Sequence, residues 1–591
     1  MHTFMNIRFK IPAPVRDKFR FGTLSFIFIV AYINVFQLIF GPENSIVGVI
    51  FTIMMSASMA RDLTAAPIRH LIAQSLVLVW MALAAYWVNA LPLPLSFIIN
   101  FITLLGILYA FTYEYSSHLY FPYILSYLFL IYISPVSAAQ LPRRLMAMLA
   151  GAVSIMLYQW FMGRKRVVET AKDVLCGMVD IISHYIDSRL EGGVDAPDFP
   201  YMRSRLYQLS RTVYERRKRI LCISDASFYM VDAGRGLEHL LVLINELPAP
   251  LCRNDRDLLI NARSRLAAFH SFLQQETGGI PLIDSSVPAA PETSPAAPES
   301  SKTSVLFQNS LNYIRDRLLH MTDPQNRSRY RETSLSFRFR LMAALDLSPV
   351  RAVYALRTAL VLSAAACLVQ ALGMPHGRWL LFTLASVSLP YADDVPAKTK
   401  KRILATITGG LASVVIYSLV PSAAGRTAAM MLSGYLSFYF TDYAGTFACS
   451  TIGALGGAVL MNAFGFWQVG NIFIIRLGYI LAGAALGLIA NCYIIPYSRS
   501  MATRHLLAKY QTLTELLTRI CSADHVDTQL YYSLVIQAHL QEEKLASNAY
   551  LEDWAEVPDI LAKCREKVHN AHRMRIEERM DAPVFEAGHL V

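Results

Sequence analysis

The sequence predicts an all-α, polytopic membrane protein with two parallel six-helix transmembrane halves, each followed by a cytoplasmic helical region. Three observations predict it. Hydrophobic residues make up 54% of the 591 and charged residues only 16%, with a mean hydropathy of +0.37, whereas a soluble chain carries about 25% charged residues. The apolar residues gather in runs approaching the roughly 20 that a bilayer core requires at about 1.5 Å each. These runs form two clusters whose landmarks repeat at an offset of about 330 residues. Soluble enzymes, disordered scaffolds and secreted disulfide frameworks are excluded, because such runs aggregate in water unless lipid surrounds them.

The first half, 1–162, opens with Arg8, Lys10, Arg16, Lys18 and Arg20 ahead of its first apolar run. No small-residue cleavage site follows, which predicts a retained signal-anchor. Spans are expected near 22–41, 46–60, 71–91, 93–112, 119–136 and 145–162. Residues 163–276 are polar, and stretches such as 202–220 and 235–275 place leucine and isoleucine at helical spacing among charges, as amphipathic cytoplasmic helices do. Residues 277–304 are rich in Pro, Ala and Ser and read as a linker, with a further cytoplasmic helical segment at 305–350. The second half, 351–496, carries expected spans near 353–373, 378–391, 403–420, 426–441, 446–467 and 472–495. A helical cytoplasmic tail occupies 497–591. The second and eighth spans are short enough to be tilted or re-entrant.

An even number of spans per half puts both termini and the middle segment on one side of the membrane. That side is expected to be cytoplasmic, because the basic N-terminus, Arg61, Arg69, Arg164 to Arg166, Lys398 to Arg402 and Arg499 all fall there. Arg143, Arg144, Arg378 and Arg426 run against the bias. The repeat rests on SASMA at 56–60 against SVSLP at 386–390, each leading into a loop with aspartate and then a basic residue, and on FTYEY at 111–115 against FTDY at 440–443. Halves with even counts would be parallel repeats with a pathway at their junction.

The formal net charge of +11 sits beside apolar spans and forms no stripe with interleaved aromatics, so membrane lipid is the expected partner and nucleic acid is not. The eight cysteines show no CxxC or paired spacing, which predicts reduced thiols. No nucleotide, zinc-hydrolase or nucleophile-elbow motif is present, so no enzyme activity, cofactor or metal is expected. Cys564, His569 and His572 do not share one helical face and read as solvated positions.

Several polar residues stand out within this frame. Arg357 lies inside the run VYALRTALVLSAAACL, where an unpaired guanidinium costs about 2.5–3.5 kcal/mol or more; it either snorkels to the interface or attracts an anion. Lys398, Lys400, Lys401 and Arg402 form an expected basic mouth that concentrates anions, with positive-inside topology as the plainer explanation. Arg402 is placed at the opening of a helix, folding back onto Asp393 or Asp394, as a gate or substrate contact. Glu114 and Asp442, each flanked by aromatics, are candidates for proton coupling at partly desolvated helix ends, the alternative being exposed residues in an aromatic belt. Small residues at 408–412 and 483–487 are expected to let helix backbones approach closely.

The segment HGRWLLFTLASVSLPYADDVPAKTKKRILATITGGLASVV, with ALR before it, resembles the fusaric acid resistance and aromatic acid exporter family. The matching positions are Ala355, Leu356 and Arg357, then His376, Gly377, Trp379 and Thr383, then Arg402, Thr406 and Gly409. Ala405 stands where the family usually has glycine. The last span is also similar, through Arg476, Gly483, Gly487 and Pro496. The resemblance covers about 350–500, and the first half shares only its architecture. It implies a plasma-membrane, proton-driven efflux protein for aromatic or other small organic anions. It places Arg357, His376, Trp379, Thr383, Arg402, Thr406 and Arg476 on the substrate pathway; the carboxylates of Glu114, Asp393, Asp394 and Asp442 are, from their own positions, the candidates for coupling or gating. A periplasmic adaptor is an expected partner if the cell has an outer membrane, and a homodimer is compatible with the pattern. The rivals are a passive anion channel, as in the plant malate-type channels that look like relatives, and a membrane scaffold or regulator acting through its cytoplasmic helices.

Overall fold

The computed structural model describes residues 13–59, 66–115, 118–163, 166–193, 195–217, 222–274, 299–333, 335–338, 348–460, 466–523 and 527–581. Among them the regular elements are helical, with a lone antiparallel bridge between Ser224 and Tyr330. In chain order the apolar helices of the first cluster are α1 (Ala13–Phe40), α2 (Ser45–Ser58), α3 (Pro67–Ala90), α4 (Leu93–Phe111), α5 (Tyr120–Tyr132) and α6 (Leu141–Gly163). The amphipathic helices α7 (Arg166–Leu190), α8 (Phe199–Arg216), α9 (Asp225–Glu246), α10 (Arg253–Gln274), α11 (Glu299–Thr322) and α12 (Pro324–Ser328) follow. The second cluster is α13 (Pro349–Ala371), α14 (Arg378–Val387), α15 (Val395–Leu419), α16 (Ala423–Leu436), α17 (Tyr443–Leu460) and α18 (Phe466–Ile489). The tail forms α19 (Arg499–Cys521), α20 (Thr528–Glu552) and α21 (Glu556–Asp581).

Every expected span thus coincides with a helix, but among the described residues seven helices are long and apolar enough to cross a membrane: α1, α3, α4, α6, α13, α15 and α18. The chain is a helical membrane protein. The structure divides into two compact units, and each is interleaved in sequence. One holds residues 1–60, 67–158 and 348–499; the other holds 61–66, 159–347 and 500–591. The middle segment and the tail therefore make one body, where the sequence suggested a separate helical region after each half.

Within the apolar unit the first helix of each cluster touches the other cluster. Helix α13 lies against α4 of the other cluster, where Arg351 donates Nη2 to the Tyr109 carbonyl at 2.7 Å and stacks its guanidinium 4.5 Å from the Tyr109 ring. Helix α1 lies against α16: the Thr23 and Tyr435 hydroxyls are 2.8 Å apart, and Lys18 donates to the Tyr439 carbonyl. Close approach of α15 and α17 depends on Gly409, because a Cβ there would stand 2.5 Å from the Ala448 carbonyl oxygen. Gly483 and Gly487 do the same for α18 against α14, as expected of small residues in lipid.

Two of the cations that run against the topological bias, Arg144 and Arg426, are held by local partners. Arg144, 1% exposed, donates Nε to Asn44 Oδ1 at 2.5 Å and its amino groups to the Ser134 and Glu43 carbonyls. Arg426 binds the Val420 and Pro421 carbonyls. Both satisfy carbonyls at chain breaks, a demand no charge count can see.

The structure adds two details to the middle region. The anticipated linker 277–304 lies outside the described residues as far as 298, but its end opens α11 at Glu299: Pro298 is the last breaker, and an acidic residue suits a helix N-terminus. The stretch 235–275 is two helices, because Pro248 and Pro250 interrupt it.

Candidate functional site

Helix α15 determines where the predicted cations point. It begins at Val395, so the basic residues expected in a loop occupy its first two turns. The helical period then sorts them. Lys400 and Lys401 are exposed, whereas Thr399, Arg402, Thr406, Gly409 and Ser413 are buried along one face, and Lys398 is half-buried beside them. Lys398 Nζ lies 5.5 Å from the centre of the Tyr443 ring and the Arg402 guanidinium 4.2 Å from that of Phe447. Arg402 therefore does not fold back onto Asp393 or Asp394; seven residues of helix separate it from Asp394. Those carboxylates hold Arg499 instead, Asp393 through the Arg499 backbone N–H at 2.6 Å and Asp394 through its guanidinium at 2.5 Å.

The other matched residues gather on α14 and α18. His376, in a left-handed conformation (φ 62°), stacks on Trp379 with ring centres 4.8 Å apart and an interplanar angle of 11°. The Arg476 guanidinium lies 5.1 Å from the centre of the same Trp379 ring. Arg402 and Arg476 are 6% and 5% exposed; the Nε of each is buried without a hydrogen-bond partner among the described residues, and Arg402 has the Tyr443 hydroxyl beside it. Thr383 and Thr406 are fully buried, with hydroxyls donating to the Trp379 and Arg402 carbonyls one turn back.

Arg357 neither snorkels nor faces open space. It is 1% exposed and donates to the Ile495 carbonyl at 2.9 Å and the Leu389 carbonyl at 2.6 Å. These are the carbonyls left over where α14 ends and where the chain leaves α18, so the guanidinium ties two helix exits together.

Of the remaining carboxylates, Asp442 is exposed and caps α17, accepting the Gly445 N–H at 2.8 Å. It is not desolvated. Glu114 is half-buried beside Tyr391 and Tyr497; burial first, and then the nearby Glu114 charge, pushes both of those hydroxyls above the usual tyrosine range.

A cavity of about 320 Å³ lies in the other unit, among α8, α9, α11, α19, α20 and α21. Sequence reasoning missed it, although His569 and His572 line it. Neither is solvated as expected: His572 and Cys564 are buried and His569 is half-buried. Among the described residues no group of three ligating side chains is placed to hold a metal.

The class this geometry defines is a helical membrane protein with buried, aromatic-stacked arginines in its second apolar cluster. Residues 364–490 match the family model described as Fusaric acid resistance protein-like. The match takes in His376, Trp379, Thr383, Arg402, Thr406 and Arg476 and stops short of Arg357. The chain is also similar to "Inner membrane protein YccS" of Escherichia coli (strain K12), with 32% identity over 89 residues; that alignment covers 15% of this chain and 12% of the relative. No solved structure matches the chain. The resemblance seen in the residues around 376–409 and 476–487 is therefore shown over the second apolar cluster.

Proposed function

We propose that the chain exports small organic acid anions, aromatic ones among them, across the plasma (inner) membrane at the expense of the proton gradient. The observation that carries this is the pair Arg402 and Arg476. Two guanidiniums buried in an apolar bundle, without a hydrogen-bonded carboxylate, are costly, and a passing anion is the partner that would offset that cost. Their aromatic neighbours Phe447 and Trp379 supply the flat apolar surface on which an aromatic acid would stack. His376 extends that surface. Thr383 and Thr406, whose hydroxyls are engaged one turn back, shape the wall.

In this reading the two clusters are parallel repeats with six spans each and both termini cytoplasmic. The matched helix starts support it, since α3 begins at Pro67 and α15 at Val395, α4 at Leu93 and α16 at Ala423, near an offset of about 330. The unit holding the middle segment and the tail would then be cytoplasmic. Glu114, half-buried between the fourth and fifth helices of its cluster, is better placed for proton coupling than Asp442, which is exposed and engaged as a cap.

The test is uptake of labelled 4-hydroxybenzoate into inside-out vesicles, with and without a protonophore, comparing wild type with Arg402→Ala and Arg476→Ala at equal expression. Uptake abolished by the protonophore and by either substitution supports the proposal. Uptake that ignores the protonophore points to a channel, and substituted proteins that transport normally remove the arginines from the pathway.

A further inference from the structure

We propose that the cavity of the second unit is a binding site for a small organic carboxylate, separate from the arginine pair of the apolar unit. Its walls come from both sides of the second apolar cluster in sequence: Arg203 and Tyr207 on α8, Arg235 and His239 on α9, His539 and Glu542 on α20, Arg565 and His569 on α21. The acidic side chains of the cavity wall are mostly spoken for. Asp232 accepts from Arg235 at 3.0 Å, from the Tyr313 hydroxyl and, across an ion pair of 3.0 Å, from Arg317. Glu542 accepts from the Tyr207 hydroxyl at 2.7 Å, the Tyr510 hydroxyl at 3.3 Å and Arg565 Nε.

The basic groups are not used up in the same way. Arg565 engages Glu542 through Nε and its two amino groups have no hydrogen-bond partner among the described residues. Arg203 is ion-paired through Nε with Glu238 Oε1 at 3.5 Å, another side chain of the wall, and its two amino groups make no hydrogen bond among the described residues. Directional, charged donors lining a partly open cavity suit a carboxylate, which takes a guanidinium's paired N–H groups. The histidines add acceptors and no charge. His239 Nδ1 stands 3.2 Å from His569 Nε2, and His539 Nδ1 lies 2.7 Å from the Ser210 hydroxyl. Burial first, then His569, Arg573 and Arg235, holds His239 down at about 4, and burial with Arg235 holds His539 at about 3.

Leu206, Val242, Leu517, Val535 and Val568 give the wall an apolar part beside its charged groups, Glu566 and Arg573 among them, so the ligand carries a hydrocarbon body behind its carboxylate. A volume of about 320 Å³ is at the small end of ligand sites, room for a one-ring or short-chain acid. The site recognises the same chemistry as the proposed pathway but does not depend on that reading, because no residue is shared.

The experiment is equilibrium dialysis of labelled benzoate against the purified full chain in detergent. Arg402→Ala, in which the proposed pathway is disabled, is expected to keep a saturable site, while Arg203→Gln, at a side chain still one-third exposed, weakens that site at least 10-fold. Ala538→Phe, which fills the cavity and leaves every ion pair in place, abolishes it. Affinity should be level between pH 6 and 8. Arg203→Gln binding like wild type, or the loss appearing in Arg402→Ala alone, would place the benzoate elsewhere and overturn the proposal, as would the absence of saturable binding in wild type. Arg203→Gln decides the matter even if Ala538→Phe fails to fold.

Discussion

Replacing Gly483 by alanine tests the helix packing that frames the arginine pair. A Cβ at Gly483 would stand 2.6 Å from the Leu380 carbonyl oxygen, 3.3 Å from its carbon and 3.2 Å from Thr383 Cβ. The nearest atom is backbone, so no side-chain rotation relieves the contact and α18 must move away from α14 by several tenths of an ångström. Overpacking of this kind costs about 1–3 kcal/mol. Alanine also favours the helix over glycine by about 1 kcal/mol, which would mask part of the effect. Gly478, on the same helix, has nothing within 4 Å of its would-be Cβ, so Gly478→Ala measures the propensity gain alone. The difference between the two variants isolates the clash and is expected to be about 1–3 kcal/mol against Gly483→Ala. SDS titration of the protein in mixed micelles, followed by tryptophan fluorescence, gives both values. Equal stability of the two variants would refute the close approach of α14 and α18.

Three further outcomes are expected. Arg357→Leu leaves the Leu389 and Ile495 carbonyls without their donor and should lower stability in detergent by about 1–3 kcal/mol, seen as a shifted unfolding midpoint. Glu542→Gln leaves Arg565 in a largely buried site without its counter-charge and should cost about 3–5 kcal/mol, whereas Asp394→Asn, at a half-exposed pair with Arg499, should cost no more than about 1 kcal/mol; melting curves of the two separate them. Acid should loosen the second unit. His239 is held near 4 in the fold against about 6.5 unfolded, so its contribution is complete above pH 6.5 and is lost as the pH falls from there towards 4. The melting temperature of wild type should drop over that window, and His239→Gln should flatten the drop.

The helices were legible because apolar runs between polar breaks leave few alternatives in a bilayer, and the close-packing glycines announced themselves by spacing. What the sequence hid has a common cause. KTKKR at 398–402 looks like a loop when charges are counted, yet Val395, Thr399, Arg402, Thr406 and Gly409 follow a helical period, and reading that period would have turned Arg402 inward. Arg357 could be flagged as costly, but its partners are carbonyls at chain breaks 32 and 138 residues away, and a carbonyl leaves no mark in a residue pattern. The cavity was hidden most completely. Cys564, His569 and His572 do not all share one helical face, while His569 meets His239 across 330 residues.

That separation also bears on how the two units depend on each other. Tyr207 reaches Glu542, Ser210 reaches His539 and Gln529 bonds the backbone of Ile223, so the middle segment and the tail supply complementary halves of one polar network. The apolar cluster that carries Arg402 and Arg476 lies between them in the chain. Neither the network nor the cavity exists until that cluster has been made and the tail has come back to α8 and α9. A truncation after α18 therefore removes the carboxylate that satisfies Tyr207 and strands Arg235 without the Tyr531 hydroxyl, which makes loss of the tail a lesion of the whole second unit and not of its last three helices alone.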